Sequence, residues 1–210
     1  ALLSKNKNPR YAYIAPTFKQ AKSIAWDYMK QFTAKIPYTK FNETELRVDL
    51  PNGSRITLLG SENSDGLRGI YLDGCVIDEY ANVNERLFPE IIRPALSDRK
   101  GYCVFIGTPQ GMNNNFYELY QHAQGADDWF NYKAKASDTK IVDDEELVKA
   151  KEVMGDKKYQ QEFECDWIAN IEGAVYSDVL AKMEDKKQLT RVPYDPSLPV
   201  STAWDLGVSD

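Results

Sequence analysis

The sequence predicts an α/β fold, a mostly parallel β-sheet with helices on both faces. Two observations carry that reading. Apolar runs at 11–15, 72–77 and 102–106 are short and continuous, as strands buried on both faces are. Segments with helical spacing or helix caps lie between them.

The elements follow in chain order. Residues 10–15 form a β-rich run stopped by Pro16. Thr17 can cap a helix over 19–32, in which Ile24, Tyr28, Met29 and Phe32 recur at helical spacing. Residues 46–50 and 55–59 flank Pro51, Asn52, Gly53 and Ser54, which predicts a β-hairpin. A polar loop spans 61–69, and a buried strand at 72–77 ends in Asp78 and Glu79. The stretch 84–96 reads as a helix with Pro89 and Pro94 standing against it. The strand at 101–106 ends in Gly107, Thr108 and Pro109. A helix at 115–124, a strand at 129–135 and helices at 143–154 and 157–164 follow. Residues 171–198 read as a Pro-punctuated linker, and the last stretch, 199–210, restarts a strand.

Composition narrows the function classes. A 210-residue chain suits about one to one and a half domains. The net charge of −6 excludes a globally basic nucleic-acid coat. Residues 1–60 carry 10 Lys/Arg against 4 Asp/Glu, a local +6, and the remainder carry 16 against 28, a local −12. The basic end either meets phosphate by counterion release or is ordinary solvated surface. Three cysteines, at 75, 103 and 165, form no CxxC pair and argue for a reducing compartment. The single histidine, His122, reads as a surface residue and leaves no multi-His metal site or Cys/His zinc finger. No apolar run approaches the ~20 residues of a membrane span, and no signal-peptide pattern opens the chain. The expectation is a soluble intracellular protein. The start at Ala1 without Met, and the strand-like run 200–206 so near the end, predict an internal segment of a longer protein.

Three short motifs could carry chemistry. In Gly74-Cys-Val-Ile-Asp78-Glu79 an apolar strand ends in two carboxylates, at the sheet edge where ligands of α/β proteins sit. Asp78 could hold the Mg2+ of MgATP through water, and Glu79 could orient and deprotonate the attacking water. The same string also fits a strand running into a solvated acidic turn. Gly107-Thr108-Pro109 ends the next apolar strand, and its hydroxyl would lie beside those carboxylates if the strands are neighbours; otherwise it is a tight turn. Arg68, between Leu67 and Gly69, could stabilise charge on a transferring phosphoryl group or make an ordinary salt bridge. No G-x-x-x-x-G-K-[ST] occurs, so this chain has no phosphate-cradling P-loop of its own.

In order, Tyr13-Ile-Ala-Pro-Thr-Phe-Lys-Gln-Ala-Lys22, residues 59–69, Val76-Ile-Asp-Glu-Tyr-Ala81, Gly107-Thr-Pro-Gln-Gly111, Tyr159-Gln-Gln-Glu-Phe-Glu-Cys165 and Ala203-Trp-Asp-Leu-Gly207 resemble the large subunit of a tailed-phage terminase. The resemblance covers nearly the whole chain. It implies a P-loop NTPase motor of the additional-strand catalytic-Glu type, here without its P-loop, and the start of an RNase H-like nuclease. In those terms 1–170 is a partial motor domain with a helical linker subdomain from about 137, 171–198 is a linker, and 199–210 is the first nuclease strand.

Residue by residue, the resemblance implies that Asp78 is the Walker B aspartate and Glu79 the catalytic glutamate. Gly107, Thr108 and Pro109 match the coupling motif, and Arg68 stands where related proteins place an arginine finger acting on a neighbouring subunit. Asp205 matches the first nuclease aspartate, a ligand to Mg2+ or Mn2+. The implied cofactors are ATP and Mg2+. The implied partners are double-stranded DNA, the portal protein of the procapsid, the terminase small subunit and further copies of the chain in a ring. The implied location is the host-cell cytoplasm, with no membrane. Two other readings stay open: a different P-loop motor such as a helicase, and a P-loop-less remnant that binds DNA or capsid without catalysis.

Overall fold

The computed structural model describes residues 6–168 and single positions between 179 and 201. Asp205, with the strand expected around it, and all but isolated positions of the expected linker lie outside the described residues. The chain divides into two compact units, Ala1–Ile171 and Glu172–Asp210. The elements below belong to the first.

Six strands form one sheet: β1 Arg10–Ala15, β2 Lys40–Asn42, β3 Arg47–Asp49, β4 Arg55–Gly60, β5 Gly74–Ile77 and β6 Tyr102–Phe105, in the order β2-β3-β4-β1-β5-β6. β4, β1, β5 and β6 run parallel, and β2 and β3 attach antiparallel at one edge. The expected hairpin is the β3–β4 pair. β2 was not anticipated; Lys40-Phe-Asn42 is short and polar, and its ladder to β3 alone holds it extended.

The residues of β1, β5 and β6 alternate between faces, as period-2 strands must. Ala12, Ile14, Cys75 and Ile77 point into a core with Leu87, Ile91, Ile92 and Leu96, against which Cys103 and Phe105 also pack. On the opposite face Leu58, Val48 and Ala15 pack with Ala21 and Trp26. Helices therefore cover both faces.

The second of these cores rests on the helix after Pro16, which begins at Phe18 and continues in three stretches. α1 Phe18–Ala21 opens with a capping box between Thr17 and Gln20. A π turn, Lys22–Trp26, follows, and then α2 Asp27–Thr33. Of its two apolar stripes, the one through Ala21, Trp26 and Met29 faces the sheet. Ile24, Tyr28 and Phe32 face solvent, Phe32 being 76% exposed.

The expected helix at 84–96 is a π segment, Leu87–Ile92, leading into α3 Arg93–Ser97. Pro89 and Pro94 cannot donate to a regular ladder, and the widened turn accommodates them. α4 Asn115–Gln124 is capped by Asn114, whose side chain accepts from Phe116 N and Tyr117 N. The strand expected at 129–135 is not one. Trp129 instead stacks on Phe105 of the edge strand β6 with ring centroids 5.9 Å apart, Phe130 and Tyr132 are exposed, and among the described residues this stretch pairs with no strand. α5 Ala136–Thr139, α6 Asp144–Met154 and α7 Asp156–Glu164 share a separate small core of Ala136, Leu147 and Tyr159.

Candidate active site

Because β4, β1, β5 and β6 are parallel, their C-terminal ends emerge at one edge. β1 lies between β4 and β5, and β6 flanks β5. The backbone ties the four exits together there. Ser61 N donates to Ala15 O at 2.9 Å, Asp78 N to Ile14 O at 2.8 Å, and Ile106 N to Ile77 O at 3.0 Å. Asp78, Glu79, Gly107 and Thr108, read separately from the sequence, therefore meet at adjacent strand ends.

Asp78 is half-buried. One of its carboxylate oxygens, Oδ1, accepts from Glu79 N at 2.9 Å, and Oδ2 accepts from the Tyr13 hydroxyl across the β1–β5 boundary. Glu79 adopts the left-handed conformation, φ +49°, a strained choice for a non-glycine residue. That turn ends β5, and Tyr80 N then donates to Ile106 O at 3.1 Å, stitching the Glu79 turn to the end of β6. Gly107 lies against this stitch. A Cβ placed on it would come within 3.2 Å of Tyr80 N and 3.3 Å of Glu79 Cα. Thr108 is half-buried and Pro109 buried beyond it.

The electrostatics suit a proton acceptor. Burial, with Asp78 and Glu162 as neighbouring negative charges, holds the Glu79 carboxyl above the usual glutamate range. A raised pKa makes a better general base. It also links to stability: the protonated form is favoured on folding, so this contribution is present at acid pH and lost as pH rises through the raised value. Glu79→Gln is accordingly expected to unfold about 2 °C higher than the parent at pH 7.5. The gain should shrink as pH falls toward the ordinary glutamate range, which thermal unfolding across pH measures.

Arg68 stands apart from this group. It lies on the exposed loop after β4, where its guanidinium pairs with Asp65 at 3.0 Å and Glu90 at 3.2 Å. Both carboxylates hold its pKa up. A groove of about 530 Å3 lined by Tyr80, Arg86, Phe88, Asn115, Glu118 and His122 includes neither Asp78 nor Glu79.

Two side chains at the edge were not singled out from sequence. The Tyr13 hydroxyl reaches Asp78 from 65 residues away. Glu62, after β4, accepts from Phe18 N at 2.8 and 3.1 Å. Both lie inside stretches that carry the family resemblance, Tyr13–Lys22 and 59–69, but neither side chain stood out by residue type.

Among the described residues, no cluster of three or more His, Cys, Asp or Glu side chains is placed to hold a metal ion. Asp78 keeps one unfilled acceptor position on each oxygen, which fits Mg2+, commonly bound by one or two carboxylates together with substrate phosphates and water. Among the described residues no helix is long and apolar enough to cross a membrane.

Comparison with known proteins identifies the family and the fold. Residues 2–180 match the family description "Terminase large subunit, T4likevirus-type, N-terminal". The terminase large subunits of Thermus phage G20c and Thermus virus P23-45 are each 29% identical over 126 residues, covering 51% of this chain and 26% of theirs. The chain thus spans about a quarter of the length of these curated relatives. The large terminase ATPase domain of Thermus phage P74-26 superposes with a TM-score of 0.65 at 23% identity, covering 79% of each chain. The large terminase of a thermophilic bacteriophage, solved in complex with ADP, superposes at 0.63 and 15% identity, covering 78% of this chain and 42% of that one. These likenesses establish a terminase-ATPase type of fold.

Proposed function

The chain belongs to the terminase large-subunit family, and on that premise we propose that it forms the nucleotide-hydrolysing part of a viral DNA-packaging motor. One observation carries the reading: Asp78 and Glu79 meet the Gly107–Thr108–Pro109 turn at a single parallel-sheet edge, with Tyr80 N bonded to Ile106 O between them. The ADP complex of a relative with the same fold supports a nucleotide as substrate.

In this proposal Glu79 orients the attacking water and accepts its proton, helped by its raised pKa. Asp78 would hold Mg2+, which when bound would neutralise charge on the phosphate oxygens. Gly107, Thr108 and Pro109 couple the state of the nucleotide to movement, because a shift of this turn presses directly on the Glu79 backbone.

Arg68 acts on the neighbouring subunit of a homo-oligomeric ring, for which it must leave Asp65 and Glu90. Asp205 binds Mg2+ or Mn2+ in a nuclease that cuts the packaged DNA. The motor works in the host-cell cytoplasm, on double-stranded DNA, with the portal protein, the procapsid and the terminase small subunit.

The full polypeptide carrying this segment should hydrolyse ATP only with Mg2+ and should render DNA nuclease-resistant in the presence of procapsids. A folded, nucleotide-binding protein that turns over no ATP would overturn the reading. Rings doped with Arg68→Ala subunits should lose activity faster than in proportion to mutant content. A strictly proportional loss would remove the role in trans.

A further inference from the structure

The Asp78 carboxylate presents about four acceptor positions, two on each oxygen. The protein fills one on each: Glu79 N binds Oδ1, and the Tyr13 hydroxyl binds Oδ2. A donor on each oxygen stops the carboxylate rotating about its last bond; the backbone donor comes with the turn, and the phenol is the side-chain half of the clamp. Tyr13 is itself well held. It stands in the middle of β1, in register with Leu58 on one side and Val76 on the other. Its ring packs on the core beneath α1 and α2. A phenol is protonated near neutral pH, so its hydroxyl donates.

We propose that Tyr13 is a positioning residue for the nucleotide-associated metal: its hydroxyl locks Asp78 in the orientation that leaves one acceptor position on each oxygen facing the sheet edge. This rests on the proposed role of Asp78 and extends it to a residue of a neighbouring strand. A free carboxylate would have to be ordered whenever the metal binds. One already fixed by a neighbouring donor would not, and groups that orient a metal-holding side chain typically matter about 10–100-fold in affinity or activity.

The test uses the full polypeptide with ADP and Mn2+, with bound metal counted by electron paramagnetic resonance, beside ATPase titrations in Mg2+. Tyr13→Phe keeps the ring and removes the hydroxyl. It should weaken Mn2+ binding about tenfold and raise the Mg2+ concentration for half-maximal turnover by a similar factor. Turnover at saturating Mg2+, metal-free ADP affinity and the unfolding temperature should stay near parental values. Tyr11→Phe is the control. Tyr11 lies two residues earlier on the same face, its ring 6.5 Å from that of Tyr102, and its change should leave Mn2+ binding within twofold of the parent.

Unchanged Mn2+ binding in Tyr13→Phe, or an equal loss in Tyr11→Phe, would overturn the proposal and reduce Tyr13 to packing. Asp78→Asn separates this from the underlying reading. It should abolish nucleotide-dependent Mn2+ binding whatever Tyr13 does, and its failure to do so would overturn the role of Asp78, and with it that of Tyr13.

Discussion

Replacing Glu79 with Gln is expected to reduce ATP turnover by about 10²–10⁴-fold while leaving ATP affinity within a few-fold of the parent. The amide is nearly isosteric with the carboxylate, so the left-handed turn at φ +49° and the Tyr80 N to Ile106 O bond should survive. What it lacks is basicity. The half-buried position that raises the Glu79 pKa makes the carboxylate useful as a proton acceptor, and an amide in the same place is not one. Single-turnover hydrolysis and nucleotide binding, measured side by side, separate the two effects. Turnover equal to the parent would remove Glu79 from the base role. Parallel loss of binding and turnover would make it a binding residue.

The second large effect is expected at Gly107. A valine there brings Cβ to 3.2 Å from Tyr80 N and 3.3 Å from Glu79 Cα, and carries two further methyl groups that must also be housed. Both neighbours are backbone atoms within a hydrogen-bonded turn, which gives way less easily than a side-chain tip. The Glu79 turn must therefore shift. A misplacement of a reacting group by about 1 Å costs on the order of 100-fold in rate, and the shift required here is smaller. Gly107→Val should lower turnover by roughly tenfold, with nucleotide affinity little changed. Gly107→Ala, carrying Cβ alone, should fall between Val and the parent. A folded valine variant with parental turnover would show that this close approach has no bearing on hydrolysis.

Much of the sheet was legible in the sequence because its strands are buried. Ile14 and Ile77 are fully enclosed, and the runs that contain them have to be apolar. Their ends were legible for the opposite reason: Pro16, Asp78 and Gly107 are residues that a buried strand cannot continue through. Exits found separately then fell into one place, since parallel strands share a C-terminal edge.

The remainder depends on partners the local sequence does not name. The Trp129-Phe-Asn-Tyr132 run has strand-forming residues, but it meets the edge strand β6 through the stacking of Trp129 on Phe105 and not through a backbone ladder. β2 has little strand character and is extended by β3 alone. Along the helix after Pro16 the apolar set read from the sequence was Ile24, Tyr28, Met29 and Phe32; only Met29 packs on the core, with Ala21 and Trp26, and the other three are exposed. At the site, Asp78 and Glu79 were readable as a pair. The phenol beside them came from a different strand and was visible only once β1 and β5 were aligned.

The most direct test is a crystal structure of the full-length Glu79→Gln variant with ATP and Mg2+. The account predicts a nucleotide whose γ-phosphate faces residue 79, with a metal-bound water on Asp78 and the Gly107–Pro109 turn alongside. A nucleotide bound elsewhere, such as in the groove between Arg86 and His122, with Asp78 and residue 79 facing only solvent, would contradict it.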